Sequence, residues 1–197
     1  MNEKVAQALC DAQVVKFGSF QLASGRESPV YIDLRILPSY PKAFRVVMDE
    51  FSNLVKELDI DIVAGIETAG IPIATAVSVI TEIPMVYVRR RPKGYGTQSM
   101  IEGVVSKDQR AVLIDDLITN GASKTRFIEG IRAAGAKANK VAVILDRGQG
   151  GKEALSNDGI ELSSLITLKE LLDYMREHSM VEKEKYEEVL GYLEENV

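Results

Sequence analysis

The stretch VLIDDLITNGASK, residues 112–124, decides the fold of this chain. It begins inside an apolar run, residues 111–114, that predicts a buried strand. Two adjacent carboxylates, Asp115 and Asp116, follow the run, and a loop of small and polar residues then leads into a predicted helix over 122–134. A strand, an acid pair, a small-residue loop and a helix in this order indicate a binding site at the end of the strand.

The loop after the acid pair has the chemistry of a phosphate-binding turn. Its small residues allow the backbone to approach a ligand closely, and its N–H groups and hydroxyls can donate to an anion. The helix N-terminus adds about half a positive charge. Lys124 and Arg126 lie near the same end of the helix. The members of the loop are Thr119, Asn120, Gly121, Ala122 and Ser123.

The acid pair needs a different partner, because carboxylates repel a phosphate. Asp115 and Asp116 make chemical sense if they accept hydrogen bonds from hydroxyl groups, or if they face positive charge that develops on a sugar. A ribose 5-phosphate offers both a phosphate and a diol. Taken alone, the pair also fits an ordinary helix-capping turn or an Mg²⁺ site, and these alternatives stay open at this point.

Short apolar strands alternate with helices on both sides of the stretch. Strands are predicted over 60–65, 84–88, 111–114 and 140–145, and helices over 72–80 and 122–134. The alternation predicts an α/β fold in which helices cover both faces of a parallel sheet. Since ligands bind at the carboxyl ends of such strands, the informative loops are 65–70, 89–103, 115–123 and 146–151.

The two ends of the chain are predicted to form further helices and turns. Apolar residues have helical spacing over 3–15, and loop with short strands is predicted over 17–35. Ser39 is predicted to cap a helix that has Pro41 in its first turn. The tail, 167–195, is predicted to form two amphipathic helices.

Composition limits the class of protein. The 197 residues are 46% hydrophobic, which suits one globular domain. The net charge of −5 disfavours general nucleic-acid binding, and no apolar stretch is long enough to span a bilayer.

A single cysteine, Cys10, and an N-terminus without the apolar core of a signal peptide predict a cytoplasmic protein. Cys10 and His178 are isolated in the sequence and are expected to be structural or surface residues.

Residues 112–124 resemble the phosphoribosyl-pyrophosphate (PRPP) signature of type I phosphoribosyltransferases. The resemblance implies a central, mostly parallel sheet with helices on both faces and a small hood formed by the N-terminal segment. It implies a single domain over 1–197, with about 1–40 and 146–165 contributing the hood over the acceptor base. Residues 167–197 are implied to form C-terminal helices.

The same resemblance assigns roles within the signature. Asp115 and Asp116 are implied to be catalytic residues that meet the ribose 2′- and 3′-hydroxyls. Mg²⁺ is the implied cofactor, held mainly by substrate oxygens and without a direct protein ligand. The residues implied to bind PRPP together with the two acids are Leu117, Ile118, Thr119, Asn120, Gly121, Ala122 and Ser123.

Three further segments resemble orotate phosphoribosyltransferases and occur in the order of that family. They are FGSFQLASGRESPVYIDLR (17–35), RRRPKGYGTQSMIEG (89–103) and LDRGQGG (145–151). Their presence implies that the acceptor is orotate, stacked on Tyr31 and contacted by Thr119 and Arg147. Without the resemblance, Tyr31 could equally be a core strand residue, and Arg147 could form a surface ion pair.

The segment 89–103 resembles the mobile catalytic loop of the same family. The residues of this loop that are implied to bind PRPP are Arg89, Arg90, Lys93 and Tyr95. Lys93 is also the implied catalytic residue of the loop, which reaches into the site of the neighbouring subunit and so implies a homodimer. The loop 67–70 is implied to bind pyrophosphate through its N–H groups, although a simple strand-to-helix turn explains it equally well.

The chain departs from the orotate pattern at three positions. Ala23 and Ala69 stand where many members carry Lys, and Tyr95 stands where many carry His. These departures motivate two alternatives on the same fold, which are a non-catalytic PRPP- or nucleotide-sensing regulator and a phosphoribosyltransferase for another base.

The orotate-type segments and Lys93 favour an enzyme that converts PRPP and orotate to orotidine 5′-monophosphate and pyrophosphate in pyrimidine biosynthesis. Its expected partners are these small molecules, with no nucleic acid and no membrane.

Overall fold

A hairpin and a six-stranded sheet make up the β-structure of the computed structural model, which describes residues 2–21, 25, 27–91 and 100–196. The hairpin pairs β1 (Val15–Gln21) with β2 (Glu27–Ile32) in antiparallel register. The large sheet contains β3 (Ile62–Ile66), β4 (Met85–Val88), β5 (Ile101–Glu102), β6 (Arg110–Ile118), β7 (Lys137–Asp146) and β8 (Glu161–Thr167). Within the described residues its order is β5-β4-β3-β6-β7-β8; the short strand β5 is antiparallel to β4, and the other neighbouring strands are parallel.

Helices cover both faces of the large sheet. In chain order they are α1 (Glu3–Asp11), α2 (Pro41–Lys56), α3 (Gly70–Thr81), α4 (Ala122–Ala133), α5 (Gly151–Asn157), α6 (Leu168–Glu177) and α7 (Lys183–Glu194). Side chains alternate along β6, so that Val112 and Ile114 belong to the apolar cluster of α1, α2, α3 and α6. Ala111 and Leu113 belong to the cluster of α4 on the opposite face. This arrangement confirms the predicted α/β fold with a mostly parallel central sheet.

The strand that carries the acid pair is longer than predicted. β6 continues to Ile118, so Asp115 and Asp116 lie within the strand and not in the loop after it. The ladder to β7 pairs Asp115 with Val143 and Ile118 with Asp146. Backbone pairing with a buried neighbour extends the strand through polar residues, which an apolar pattern cannot report.

Other element bounds also differ from the predictions. The first helix ends at Asp11, because Gln13 has a positive φ of 54° that breaks the helix before β1 begins at Val15. Tyr40 and not Ser39 occupies the N-cap position of α2, without a side-chain hydrogen bond, while Pro41 lies in the first turn as predicted. Neither α5 nor β8 was predicted. β8 has serines at its centre and therefore lacks an apolar run.

The N-terminal hairpin packs against the C-terminal helix. Strand β2 contacts α7, and a groove of about 630 Å³ between the hairpin and this helix is lined by Gly18, Ser28 and Tyr192 among others. The hairpin is a separate two-stranded sheet, and its residues Val30 and Ile32 belong to the same apolar cluster as Val112 and Ile114 of β6. By contrast β8, which lies largely in the range 146–165 that we expected in the hood, is the edge strand of the large sheet beside β7.

The isolated cysteine and histidine have local structural contacts. His178 places its Nδ1 atom 2.9 Å from the carbonyl oxygen of Tyr174 and stacks on the Tyr174 ring at a centroid distance of 4.0 Å. Cys10 is half-buried, and burial raises the pKa of its thiol to about 11. A thiol with so high a pKa is a poor nucleophile near neutral pH. In the part of the chain that the structure describes, no helix combines the length and the apolar character needed to cross a bilayer.

Candidate active site

The two carboxylates of β6 have different surroundings. Asp115 is 8% exposed and its Oδ2 accepts a hydrogen bond from Nζ of Lys124 on α4. Asp116 accepts a hydrogen bond from the N–H of Leu117 at 2.8 Å. Burial, and secondly the neighbouring charge of Asp115, raise the pKa of Asp116 to about 6. The pair therefore holds one carboxylate that is bound to a cation and one that takes up a proton in weakly acidic solution.

Two glycines bring the loop after β3 close to the acid pair. A Cβ atom on Gly70 would overlap the carbonyl oxygen of Ile114, the residue directly before Asp115. A Cβ atom on Gly65 would lie 2.7 Å from the carbonyl oxygen of Gly70. Only residues without a side chain allow the start of α3 to lie this close to β3 and β6.

The end of β4 is fastened to the same loop. The backbone N–H of Arg90 donates to Oε2 of Glu67 at 2.8 Å, and Nε of Arg90 donates to the Glu67 carbonyl oxygen at 3.1 Å. The N–H of Glu67 in turn donates to the carbonyl oxygen of Val88 at 2.9 Å. These bonds hold the Arg90 side chain at the carboxyl edge of the sheet.

A cavity of about 390 Å³ lies where these segments meet the N-terminus of α4. Its charged lining consists of two arginines and three carboxylates, which are Arg90, Arg126, Glu67, Asp115 and Asp116. Its other lining residues are Ile66, Thr68, Ala69, Ala122, Ser123 and Phe127. The structure thus brings together five of the predicted PRPP-binding residues, namely Arg90, Asp115, Asp116, Ala122 and Ser123.

The first turn of α4 is open to an anion. Gly121 occupies its N-cap position with a φ of 74° and has no side chain of its own to cap the helix, while Oδ1 of Asn120 accepts a hydrogen bond from the Ala122 N–H at 3.3 Å. The backbone of Gly121 also lies close to Gly151, since a Cβ on Gly121 would be 3.1 Å from the Gly151 carbonyl oxygen. A helix N-terminus with a glycine at the N-cap and Ser123 in its first turn suits a phosphate group.

Several predicted residues lie outside the cavity. Leu117, Ile118, Thr119, Asn120 and Gly121 do not belong to its described lining. Arg89 pairs with Glu102 at 3.4 Å, and its N–H donates to the Met100 carbonyl oxygen at 2.8 Å. Arg89 therefore belongs to a short antiparallel stem that the start and end of the 89–103 segment form. Lys93 and Tyr95 lie outside the described residues, as does Ala23.

The three residues predicted to bind the acceptor are also absent from the described lining of the cavity. Tyr31 lies on β2, with its ring centroid 5.5 Å from that of Phe20 and its hydroxyl bonded to the guanidinium of Arg35. Thr119 follows the last residue of β6, and Arg147 follows the last residue of β7, so both lie at the same edge of the sheet. The N–H of Arg147 donates to the Ile118 carbonyl oxygen at 3.0 Å.

Arg147 is buried in an unusual way. It is 7% exposed, and its Nε and Nη2 atoms have no hydrogen-bond partner among the described residues. Burial lowers the pKa of its guanidinium, an effect that the nearby Tyr192 of α7 opposes. Gln149, two residues later, is 6% exposed and its Oε1 likewise has no partner in the described part of the chain. Buried donors and acceptors are normally paired, so this loop is suited to a polar ligand.

Comparison with known proteins identifies the family. The model of the phosphoribosyl transferase domain matches residues 36–162. The orotate phosphoribosyltransferase of Pyrobaculum aerophilum is 40% identical over 186 residues, which cover 94% of this chain and 95% of that protein. The chain belongs to the orotate phosphoribosyltransferase family. This assignment confirms the resemblance found in the four sequence motifs.

Solved structures of orotate phosphoribosyltransferases share the fold. The enzyme of Aeropyrum pernix superposes with a TM-score of 0.79 at 34% identity, covering 90% of this chain and 99% of that one. UMP synthase of Leishmania donovani gives a TM-score of 0.90 at 35% identity, and 98% of this chain corresponds to 42% of that longer protein. The chain therefore matches the whole of one relative and under half of the other.

Some residues of this phosphoribosyltransferase site were not singled out from the sequence. Phe127 lies on α4, and the link from Glu67 to Arg90 follows from the order of strands, which places β3 beside β4. The unpartnered Gln149 could have been noticed as an amide within the motif LDRGQGG. Among the described residues there is no group of three or more His, Cys, Asp or Glu side chains that could hold a metal ion by themselves.

Proposed function

We propose that this protein transfers the ribose 5-phosphate group of PRPP to orotate, giving orotidine 5′-monophosphate and pyrophosphate. The observation that carries the proposal is the cavity in which the Asp115–Asp116 pair lies beside the N-terminus of α4 and two arginines. The cavity offers hydrogen-bond donors and positive charge to a phosphate and to a leaving pyrophosphate, and it offers carboxylate acceptors to a diol.

The cavity accounts for each part of PRPP. The first turn of α4, with Ser123, would receive the 5′-phosphate. The carboxylates of Asp115 and Asp116 would accept hydrogen bonds from the ribose hydroxyls. Arg90, after β4, and the N–H groups of residues 68 and 69, after β3, would receive the pyrophosphate, with Lys93 and Arg89 supplying further positive charge.

Orotate would lie between the β7 end and the hood. Its carboxylate matches the planar guanidinium of Arg147, whose two unpartnered nitrogens would gain acceptors. Tyr31 on the hairpin would stack on the ring, and Thr119 would contact its edge. This assignment explains why two buried guanidinium nitrogens of Arg147 lack a hydrogen-bond partner among the described residues.

The reaction needs charge stabilisation more than proton transfer. The bond between C1′ and the pyrophosphate oxygen breaks with its electron pair on the oxygen, and positive charge develops on the ribose ring. Asp115 and Asp116 stabilise this charge and orient the sugar, while Lys93 and the arginines stabilise the leaving group. N1 of orotate then forms the bond to C1′, and its proton passes to water or to the released pyrophosphate. Holding both substrates in place lowers the entropic part of the barrier.

Mg²⁺ fits this site as an ion carried by the substrate. The described cavity residues include carboxylates but no cluster of ligands able to surround an ion, so PRPP oxygens and water would supply the coordination. When bound, the ion would neutralise charge on the pyrophosphate. A homodimer that shares the 89–103 segment between its subunits, and a cytoplasmic location, are parts of the same proposal.

An absorbance assay tests the proposal. The protein is incubated with PRPP, Mg²⁺ and orotate, and the loss of orotate is followed by its ultraviolet absorbance, with uracil, adenine and hypoxanthine as alternative acceptors. We expect turnover with orotate alone. Turnover with another base would overturn the acceptor, and PRPP binding without any turnover would favour a PRPP-sensing regulator.

A further inference from the structure

Lys124 is buried next to the substrate cavity. It is 5% exposed, on the first turn of α4, and Nζ donates to Oδ2 of Asp115. Lysine is seldom buried to this degree, because the ammonium group loses its hydration. A buried ion pair contributes little net stability compared with apolar residues of similar volume. Stability of the fold therefore does not explain why this position carries a lysine.

The charges around the cavity suggest a reason. Its lining carries three carboxylates, Glu67, Asp115 and Asp116, but only two cations, Arg90 and Arg126, among the described residues. The ammonium of Lys124 is the third cation and balances the set. PRPP is a polyanion, so each uncompensated carboxylate beside it opposes its binding.

We propose that Lys124 is a positioning residue for PRPP: its buried ammonium holds the Asp115 carboxylate and offsets part of its negative charge, so that the acid pair can accept hydrogen bonds from the ribose hydroxyls next to the phosphates. This role rests on the proposed function. Lys124 acts through Asp115 and does not itself touch the substrate.

The pair also controls the protonation of its neighbour. The charge of Asp115 raises the pKa of Asp116, and the charge of Lys124 opposes that shift. Besides these groups, Glu67, Arg90 and Arg126 face the pair from the loop after β3, the end of β4 and α4. Without Lys124 the two adjacent carboxyl groups would hold a shared proton to higher pH, and a protonated carboxyl group is a poorer acceptor for a hydroxyl.

The test replaces Lys124 with methionine, which keeps the length of the side chain and removes its charge. PRPP affinity of the full chain is measured by calorimetry at pH 6 and pH 8, together with KM values and the pH profile of kcat/KM. For Lys124→Met we expect the Kd for PRPP to rise about tenfold or more. The acidic limb of the profile should move to higher pH, and the KM for orotate should stay within about twofold.

Lys137→Met is the matched control. Lys137 is an exposed residue that pairs with Asp108 at 3.3 Å, so the variant undergoes the same chemical change outside the site. It should bind PRPP as the unaltered protein does. Unchanged PRPP affinity and an unchanged acidic limb in Lys124→Met would overturn the role of Lys124.

A double-mutant cycle distinguishes positioning from direct contact. In an Asp115→Asn background, Lys124→Met should have little further effect on the Kd for PRPP, because its action passes through Asp115. An equal loss in both backgrounds would mean that Lys124 contacts PRPP, and the proposal would be wrong. The double variant removes both charges of the buried Lys124–Asp115 pair and leaves neither one unpaired, so the comparison with Asp115→Asn can still be made if Lys124→Met alone does not fold. Failure of the unaltered protein to bind PRPP would instead reject the proposed function.

Discussion

Arg90 and Glu67 are joined by two hydrogen bonds between different loops. The N–H of Arg90 donates to the Glu67 carboxylate at 2.8 Å, and the Arg90 Nε atom donates to the Glu67 carbonyl oxygen at 3.1 Å. One acidic residue thereby holds an arginine at the cavity while adding a negative charge to it. Glu67 thus positions Arg90 through a carboxylate oxygen and repels PRPP through its negative charge. Mutation can separate these two effects, because an oxygen acceptor can be kept while the charge is removed.

Replacing Glu67 tests which of the two effects dominates. Glu67→Gln keeps an oxygen for the Arg90 N–H and removes the charge, so we expect a KM for PRPP equal to or below that of the unaltered protein. Glu67→Ala removes the acceptor as well and should lower kcat/KM about tenfold, the scale of one lost hydrogen bond. Steady-state kinetics of the two variants provide the measurement. An equal loss of kcat/KM in both variants would show that the negative charge of Glu67 matters and its hydrogen bond to the Arg90 N–H does not.

Asp116 should make stability depend on pH. Its pKa is about 6 in the folded protein, against 3.8 for an aspartate in its ordinary, solvated state. Between these two pH values the folded state therefore binds more protons than the unfolded state. The resulting contribution of Asp116 to the free energy of unfolding is fully present below about pH 4 and is lost as the pH rises through 6. Asp116→Asn cannot ionise and keeps an oxygen for the Leu117 N–H. Urea unfolding should find it more stable than the unaltered protein at pH 8, by on the order of 2 kcal/mol, and similar at pH 4.

The same variant should bind PRPP more weakly, since a neutral amide is a poorer acceptor for the ribose hydroxyls and does not stabilise positive charge on the ring. A gain in stability together with a loss of activity is typical of residues that serve function at the expense of folding. A stability difference that is the same at both pH values would contradict the raised pKa.

We expect Arg147 to contribute to orotate binding and not to the stability of the fold. Its two unpartnered buried nitrogens cost free energy in the absence of a ligand, so Arg147→Met should leave the free energy of unfolding unchanged or higher. The KM for orotate should rise about 100-fold, the effect of removing one partner of a buried charged pair. Arg147→Lys keeps the charge without the planar fork and should restore little of the affinity. A loss of stability with an unchanged orotate KM would mark Arg147 as structural.

Gly70 should be intolerant of a side chain. A Cβ at this position would overlap the Ile114 carbonyl oxygen, and the backbone before Asp115 would have to move. We expect Gly70→Ala to lower the free energy of unfolding by about 1–3 kcal/mol and to raise the KM for PRPP. The control is Gly191→Ala on α7, where a Cβ would meet no atom within 4 Å. That change should be neutral or stabilise by up to about 1 kcal/mol, which thermal or urea unfolding can measure.

Lys93 is the predicted catalytic cation of the 89–103 segment. Lys93→Ala should lower turnover by roughly 10²–10³-fold, the scale for removing one preorganised donor. Lys107→Ala, at an exposed residue outside the site, is the control, and its turnover should be close to that of the unaltered protein. A fall in turnover of less than about threefold in the Lys93 variant would reject the assigned role.

The strands and the acid pair could be predicted from the sequence because their signals are local. Strands buried on both faces form short apolar runs, and β3 and β4 were predicted within two residues of their bounds. The motif that contains Asp115 and Asp116 also carries its chemistry in adjacent residues. The comparison with known proteins confirms the family that those motifs implied.

The sequence by itself thus determined the α/β class, the family and the residues of the PRPP motif. Only the tertiary structure decided that Glu67 holds Arg90, that Lys124 is buried on Asp115, that β8 is an edge strand of the sheet and that Nε and Nη2 of Arg147 have no hydrogen-bond partner among the described residues. Periodicity reports which face of an element is apolar, whereas these contacts depend on which strands lie side by side and on how closely helices approach them. Strand order and glycine-mediated close packing join residues far apart in the chain, and no local pattern encodes either.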